Sequence, residues 1–236
     1  MTAKEILAEM KKMENPSAKK MLAKHGAVEP YYGIKIEDLK KKFVKPIKKD
    51  YKLSLELYDS GITDAMYLAG LIADETKMTR KDLQKWAEKA PWGMISEYTV
   101  PWIAAESNHG WELALEWIES KKESVASSGW ATLSSLMSIK PDEELDIKKL
   151  KSLINRVTKE IHKAPNRIKY VMNGFIIAAG SFVPALTDDA LEASEKIGTV
   201  MVDMGGTSCK VPAAADYIKK VKDKKAIGKK KKMARC

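Results

Sequence analysis

Ile147-Lys148-Lys149-Leu150-Lys151-Ser152-Leu153-Ile154-Asn155-Arg156-Val157-Thr158-Lys159-Glu160-Ile161 sets its apolar residues at 147, 150, 153, 154, 157 and 161. Steps of three and four put side chains on one stripe of an α-helix, because a turn holds 3.6 residues. The same spacing recurs through the chain, at Ile6, Leu7, Met10 and Met13 and again at Leu83, Trp86, Ala87 and Ala90. Period-two alternation, the mark of a half-buried strand, is nearly absent. Helix starts are signalled by Thr2 with Glu5, Ser17 after Pro16, Thr79 with Asp82, and Thr187 with Asp188 and Asp189, whose oxygens can accept from first-turn amides. Gly26, Gly61, Pro91, Gly110, Pro141, Pro165 and Gly205 mark the stops.

These signals predict helices near 3–13, 17–25, 36–49, 51–58, 62–74, 79–90, 94–107, 110–120, 123–139, 146–162, 165–182, 187–198 and 212–225. Short consecutive helices with brief turns have too little apolar surface to fold pair by pair, so they are expected to stack. The fold class is therefore all-α, with antiparallel pairs forming a solenoid; a compact helical bundle is the structural alternative. No fixed-period repeat is visible, since the similar pieces at 101–107 and 116–122 lie too close together to define one. The expected organisation is one helical-repeat domain over residues 1–225, followed by a disordered basic tail over 226–236.

With 236 residues, 44% of them apolar, the chain can bury a substantial core. Its net charge of +10 is almost all at the end, where residues 219–236 hold ten Lys/Arg against Asp223. The rest is neutral but polarised. Residues 35–52 carry eight lysines against three acids, and residues 148–170 carry eight Lys/Arg against Glu160 alone. If these segments share a face they make the positive stripe a polyanion needs; if they face apart they are ordinary solvated surface. The tail is read as a solvated arm or a non-specific anchor for phosphate.

Two cysteines, Cys209 and Cys236, are too few for a disulfide framework, and no leader-like apolar stretch follows Met1, so a cytoplasmic protein is expected. The most apolar stretch, 174–186, is interrupted by Gly180, Ser181 and Pro184 and is shorter than the roughly 18–20 residues of a membrane span. His25, His109 and His162 lack a partner at ligand spacing, so neither metal nor cofactor is expected. Gly205-Gly206-Thr207-Ser208-Cys209-Lys210 has the wrong spacing for a phosphate loop and reads as a turn between helices, with local phosphate contact through Lys210 as the alternative. Trp86, Trp117 and Trp130 lie on apolar faces and read as core. Trp92, between Pro91 and Gly93, fits core or groove equally. Glu97, flanked at three residues on either side by Met94 and Val100, is directed inward or to a groove edge, and the simplest role for it is a hydrogen-bonded structural one.

Four pieces resemble the DNA alkylation repair proteins built from HEAT-like helical repeats, the alkylpurine glycosylases. They are Tyr31-Tyr32-Gly33-Ile34-Lys35 with its lysine-rich helix, Trp92 to Pro101, Gly129-Trp130-Ala131-Thr132-Leu133, and Met172-Asn173-Gly174-Phe175. The resemblance spans about residues 15–222 and implies a curved superhelix whose concave basic face holds duplex DNA. It also implies a cleft carboxylate that stabilises the cationic sugar as an N3- or N7-alkylated purine departs. Glu97 falls at that carboxylate, Gly93 at a family Trp, Ser128 at a cleft Arg, and Gly174 and Ile177 at about a second Trp and Arg. Relatives of this kind include DNA binders, some of branched DNA, that excise no base.

The leading expectation is a monomeric DNA-binding protein, acting on duplex or branched DNA, without membrane or metal partners. Its phosphate and base contacts are expected from Lys35, Lys41, Lys42, Lys45, Lys48, Trp92, Arg156, Lys159, Lys163, Arg167, Lys169 and Lys210. The alternatives are a glycosylase using Glu97 as the cleft carboxylate and a HEAT-type scaffold for a protein partner.

Overall fold

The computed structural model describes residues 1–47 and 49–235, and every regular element among them is helical. The helices are α1 (Ala3–Lys12), α2 (Pro16–Lys24), α3 (Ile36–Leu39), α4 (Lys45–Ile47), α5 (Tyr51–Asp59), α6 (Thr63–Ile72), α7 (Arg80–Lys89), α8 (Val100–Glu106), α9 (Gly110–Trp117), α10 (Glu123–Ile139), α11 (Ile147–Glu160), α12 (Asn166–Phe182), α13 (Thr187–Ile197) and α14 (Ala214–Asp223). Reciprocal capping boxes form at Thr2 with Glu5 and at Thr79 with Asp82, as the spacing predicts. Two start signals read differently. Asn15, not Ser17, caps α2, because Pro16 takes the first helical position and leaves the acceptor one residue earlier. Thr187 opens α13 without capping it, and its hydroxyl donates to Gly180 O at 3.0 Å.

Two wide π-turns interrupt the helices, Lys40–Val44 and Ile95–Thr99, and each is followed two residues on by a proline, Pro46 and Pro101. A proline inside a helix has no N–H to donate, and its ring crowds the carbonyl four residues back. Widening the preceding turn relieves that crowding.

The second helices of successive pairs, α6, α8, α10, α12 and α14, pack in a row, with α5, α7, α9, α11 and α13 on the other side. This stacked-pair array is the expected architecture. Two apolar clusters run through it, one over the amino-terminal helices and one from α9 to α14, and Trp111 packs on both. Trp86 stacks on Tyr58 at 4.1 Å, and Trp130 meets Phe175 edge-on at 5.1 Å, which puts three of the tryptophans, with Trp117, in the core.

The tail departs from the expectation of a free arm. Residues 228–235 lie as a strap across the carboxyl ends of the inner row. Gly228 N donates to Ser181 O of α12 at 2.9 Å, and Lys231 N to Ser138 O of α10 at 2.8 Å. Ala234 N donates to Glu106 of α8 at 2.7 Å, and Arg235 reaches Ala73 O just beyond α6 at 3.0 Å. Arg235 also pairs with Glu75 and Glu106 and is only 9% exposed. The physical reason is the helix ends: their last carbonyls lack internal partners and carry the negative end of the helix dipole, so a basic segment is drawn to them.

Candidate functional site

Glu97 belongs to the π-turn Ile95–Thr99, and the turn explains its surroundings. Within it Val100 N donates to Ile95 O, five residues back. The next bond of that kind, to Ser96 O, has no donor because residue 101 is proline. Ser128 on α10 supplies one instead: its hydroxyl lies 2.7 Å from Ser96 O and 2.9 Å from Ser124 O. The position where the resemblance implies a cleft arginine therefore holds a fully buried hydroxyl that completes a backbone.

The Glu97 side chain is 1% exposed. Arg167, in the first turn of α12, donates from Nε to Oε1 and from Nη2 to Oε2, each at 2.6 Å. This parallel fork is the strongest arrangement for the two groups. The guanidinium also lies 4.6 Å from the centre of the Tyr170 ring. Burial works against the charge on Arg167, but the hydrogen bonds and field of Glu97 outweigh it and hold its pKa above the ordinary value. Burial, and the hydrogen bond with Tyr170, push the Tyr98 hydroxyl well up. Gly93 makes room for the pair, since a Cβ there would stand 2.7 Å from Glu97 Oε1.

The pair lies in a cleft of about 770 Å³ at the amino ends of the inner helices. The loop between α13 and α14 roofs it. Asp203 N donates to Asn166 Oδ1 at 2.7 Å, Asn166 Nδ2 returns to Asp203 O at 2.8 Å, and Gly205, at φ +69°, sits against the Lys24 carbonyl at the end of α2. The glycine-rich segment is thus a bridge from the last repeats to the first, a longer span than a simple turn. The cleft is not basic: Glu97, Glu123 and Asp203 face Arg167 and Lys210.

The positive lining is at the opposite edge. A groove of about 860 Å³ beside the strap is bounded by Lys40, Lys45, Lys49, Lys140, Lys232 and Arg235 against Glu75, Glu106 and Glu144. Sequence reasoning placed Lys45 among the contacts and offered the basic tail as one reading of a phosphate anchor, but it passed over Lys140.

The other expected residues scatter. Lys35 and Trp92 line a smaller pocket next to the cleft, and Trp92, whose indole N–H is buried without an acceptor, lines the cleft too. Arg167 and Lys210 are in the cleft. Lys42 pairs with Glu9 at 2.8 Å. Arg156 pairs with Glu119 and Glu160 and covers the Trp130 ring, which ties α11 to the end of α9. Lys41, Lys159 and Lys163 are exposed outside these cavities, and Lys169 is half-buried on α12. Lys48 lies outside the described residues. Residues of the two basic segments thus line different cavities, Lys45 the groove and Arg167 the cleft.

Among the described residues no helix is long and apolar enough to cross a membrane. The sequence matches the family described as DNA alkylation repair enzyme over residues 6–205. It is 32% identical over 228 residues to an uncharacterised protein, Lin0241, of Listeria innocua, covering 94% of this chain and 98% of that one. It is 31% identical over the same length and shares to another, Lmo0209, of Listeria monocytogenes. The fold is similar, at a TM-score of 0.91 and 31% identity over the whole of both chains, to a solved structure. That structure is described as a new family of proteins related to the HEAT-like repeat DNA glycosylases with affinity for branched DNA structures.

Proposed function

The chain belongs to the DNA alkylation repair enzyme family, and from that membership we propose that it binds DNA, duplex or branched, without excising bases. The observation that carries this reading is the separation of charge from the cleft carboxylate. A carboxylate stabilises a departing base's sugar only if its charge is uncancelled and it can approach the sugar. Glu97 meets neither condition, being buried and held in a bidentate ion pair. In the groove beside the strap, Lys49, Lys140 and Arg235 pair with its three carboxylates, and Lys45 and Lys232 offer instead the phosphate contacts that give sequence-independent affinity. Affinity for branched DNA in the structurally similar family supports extending the reading to junctions.

Gel shifts with linear, nicked and branched DNA across a salt series test the proposal, beside release of 3-methyladenine and 7-methylguanine from methylated DNA. Salt-sensitive binding without base release is expected. Undetectable affinity for every DNA at low salt sinks the reading, and base release abolished by Glu97→Gln establishes the glycosylase in its place.

A further inference from the structure

Between the roofed cleft and the strap lies a chamber of about 380 Å³, which Glu97, Tyr98 and Tyr170 separate from the cleft by lining both. Its wall is mostly apolar, with the rings of Tyr98, Tyr170, Phe182 and Tyr217, and its polar groups include Ser134, Ser135 and the buried Asn173. Tyr98 and Tyr217 are 42% and 49% exposed, large rings left facing solvent from different elements, the π-turn and α14. Gly174 opens onto it, since a Cβ added there meets nothing within 4 Å. Lys231 of the strap, its ammonium 5.5 Å from the centre of the Phe182 ring, stands at its edge.

We propose that this chamber takes one unpaired nucleobase, splayed from a branch point, with the flanking phosphate on Lys231; the proposal rests on the DNA-binding reading above. Its volume is at the low end of ligand cavities, which run from about 300 to 1,000 Å³, and so suits a single base and excludes a duplex step. Every base has a π-face, so exposed tyrosines bind it without regard to sequence. Asn173 spends amide hydrogen on Pro212 O at 3.0 Å, and its side-chain oxygen is an acceptor for an exocyclic amino group. Paired bases in linear duplex are stacked and cannot enter, so the chamber favours junctions over linear DNA.

The test places 2-aminopurine at the unpaired position of a three-way junction and follows its fluorescence on titration with full-length protein. The wild type is expected to change the signal and to bind the junction tenfold to a hundredfold tighter than linear duplex, the range stacking of one base supplies. Gly174→Leu fills the chamber from a position with open space, and Tyr217→Ala removes a half-exposed ring, so neither disturbs the core. Both are expected to lose the signal and the junction preference while keeping duplex affinity. Junction binding with no signal at any branch position, or preference intact in both variants, overturns the chamber and leaves the DNA-binding reading standing. Failure to bind any DNA overturns that reading and the chamber with it.

Discussion

Arg167 and Glu97, 70 positions apart in sequence, share two hydrogen bonds of 2.6 Å and close the cleft's one deeply buried carboxylate. The pair joins α12 to the π-turn before α8, so one contact both sets the packing of two repeats and withdraws the charge that base excision would need.

Arg167→Ala leaves Glu97 buried without its cation. Breaking such a pair costs several kcal/mol when both groups are buried; because Arg167 is about a third exposed, the expected loss is about 2 kcal/mol. For a chain of this length that lowers the melting temperature by about 4–8 °C. Arg167→Lys should recover little of it, because an ammonium cannot reproduce the fork. Thermal denaturation of the two variants reads the difference.

Arg235→Ala leaves Glu106 without its cation, leaves Glu75 with Lys49 alone and frees the Ala73 carbonyl. The expected loss is larger, about 3–5 kcal/mol, and the tail should become trypsin-sensitive under conditions where the helices are not. A wild-type melting curve and an uncleaved helical core with a still-resistant tail would contradict the strap.

The strap's anchor is also pH-dependent. Burial works against the charge on Glu75, but its hydrogen bond from Lys49 and the field of Arg235 hold its pKa below the usual 4.5. A lowered carboxylate stabilises fully above the unfolded value and loses that contribution as pH falls through the folded one. Hydrogen exchange at Lys231 and Ala234 should therefore be unchanged from neutral pH down to about 5, after correction for intrinsic rates, and accelerate below 4.5.

Gly205→Ala meets two obstacles, a left-handed backbone and the Lys24 carbonyl. The expected cost is about 1–3 kcal/mol, confined to the roof. Exchange should rise across 199–210 while the core of α10 and α12 stays protected; uniform destabilisation would argue against a separable roof.

Phosphate contacts in the basic groove predict that Lys45→Ala and Lys232→Ala each lower the slope of log affinity against log salt by about 1. Arg156→Ala, whose cation is spent on Glu119 and Glu160, should leave the slope unchanged.

Local signals in the sequence located the helices well, because the apolar stripe of 147–161 and the capping boxes at Thr2 and Thr79 are decided within a few residues. Glu97 was legible as an inward carboxylate from its neighbours Met94 and Val100. Its partner was not, since Arg167 looks like any other member of a basic run until α12 is docked. Ser128 was equally opaque, as the orphaned Ser96 carbonyl it serves arises only once Pro101 widens the turn. The tail misled for a different reason: lysine-rich composition marks solvated arms and also suits a row of helix carboxyl ends, and only tertiary structure offers that row.

The strap advances one helix for every three residues between Gly228 and Ala234, and three residues reach at most about 10 Å, close to the 8–10 Å between packed helix axes. There is accordingly almost no slack in it. Repeats that fan apart must lengthen one margin of the array, and this margin behaves as an inextensible spine. Any widening to admit a bulky partner has to occur at the opposite margin, where the glycine contact between the roof and α2 ties the first repeats to the last.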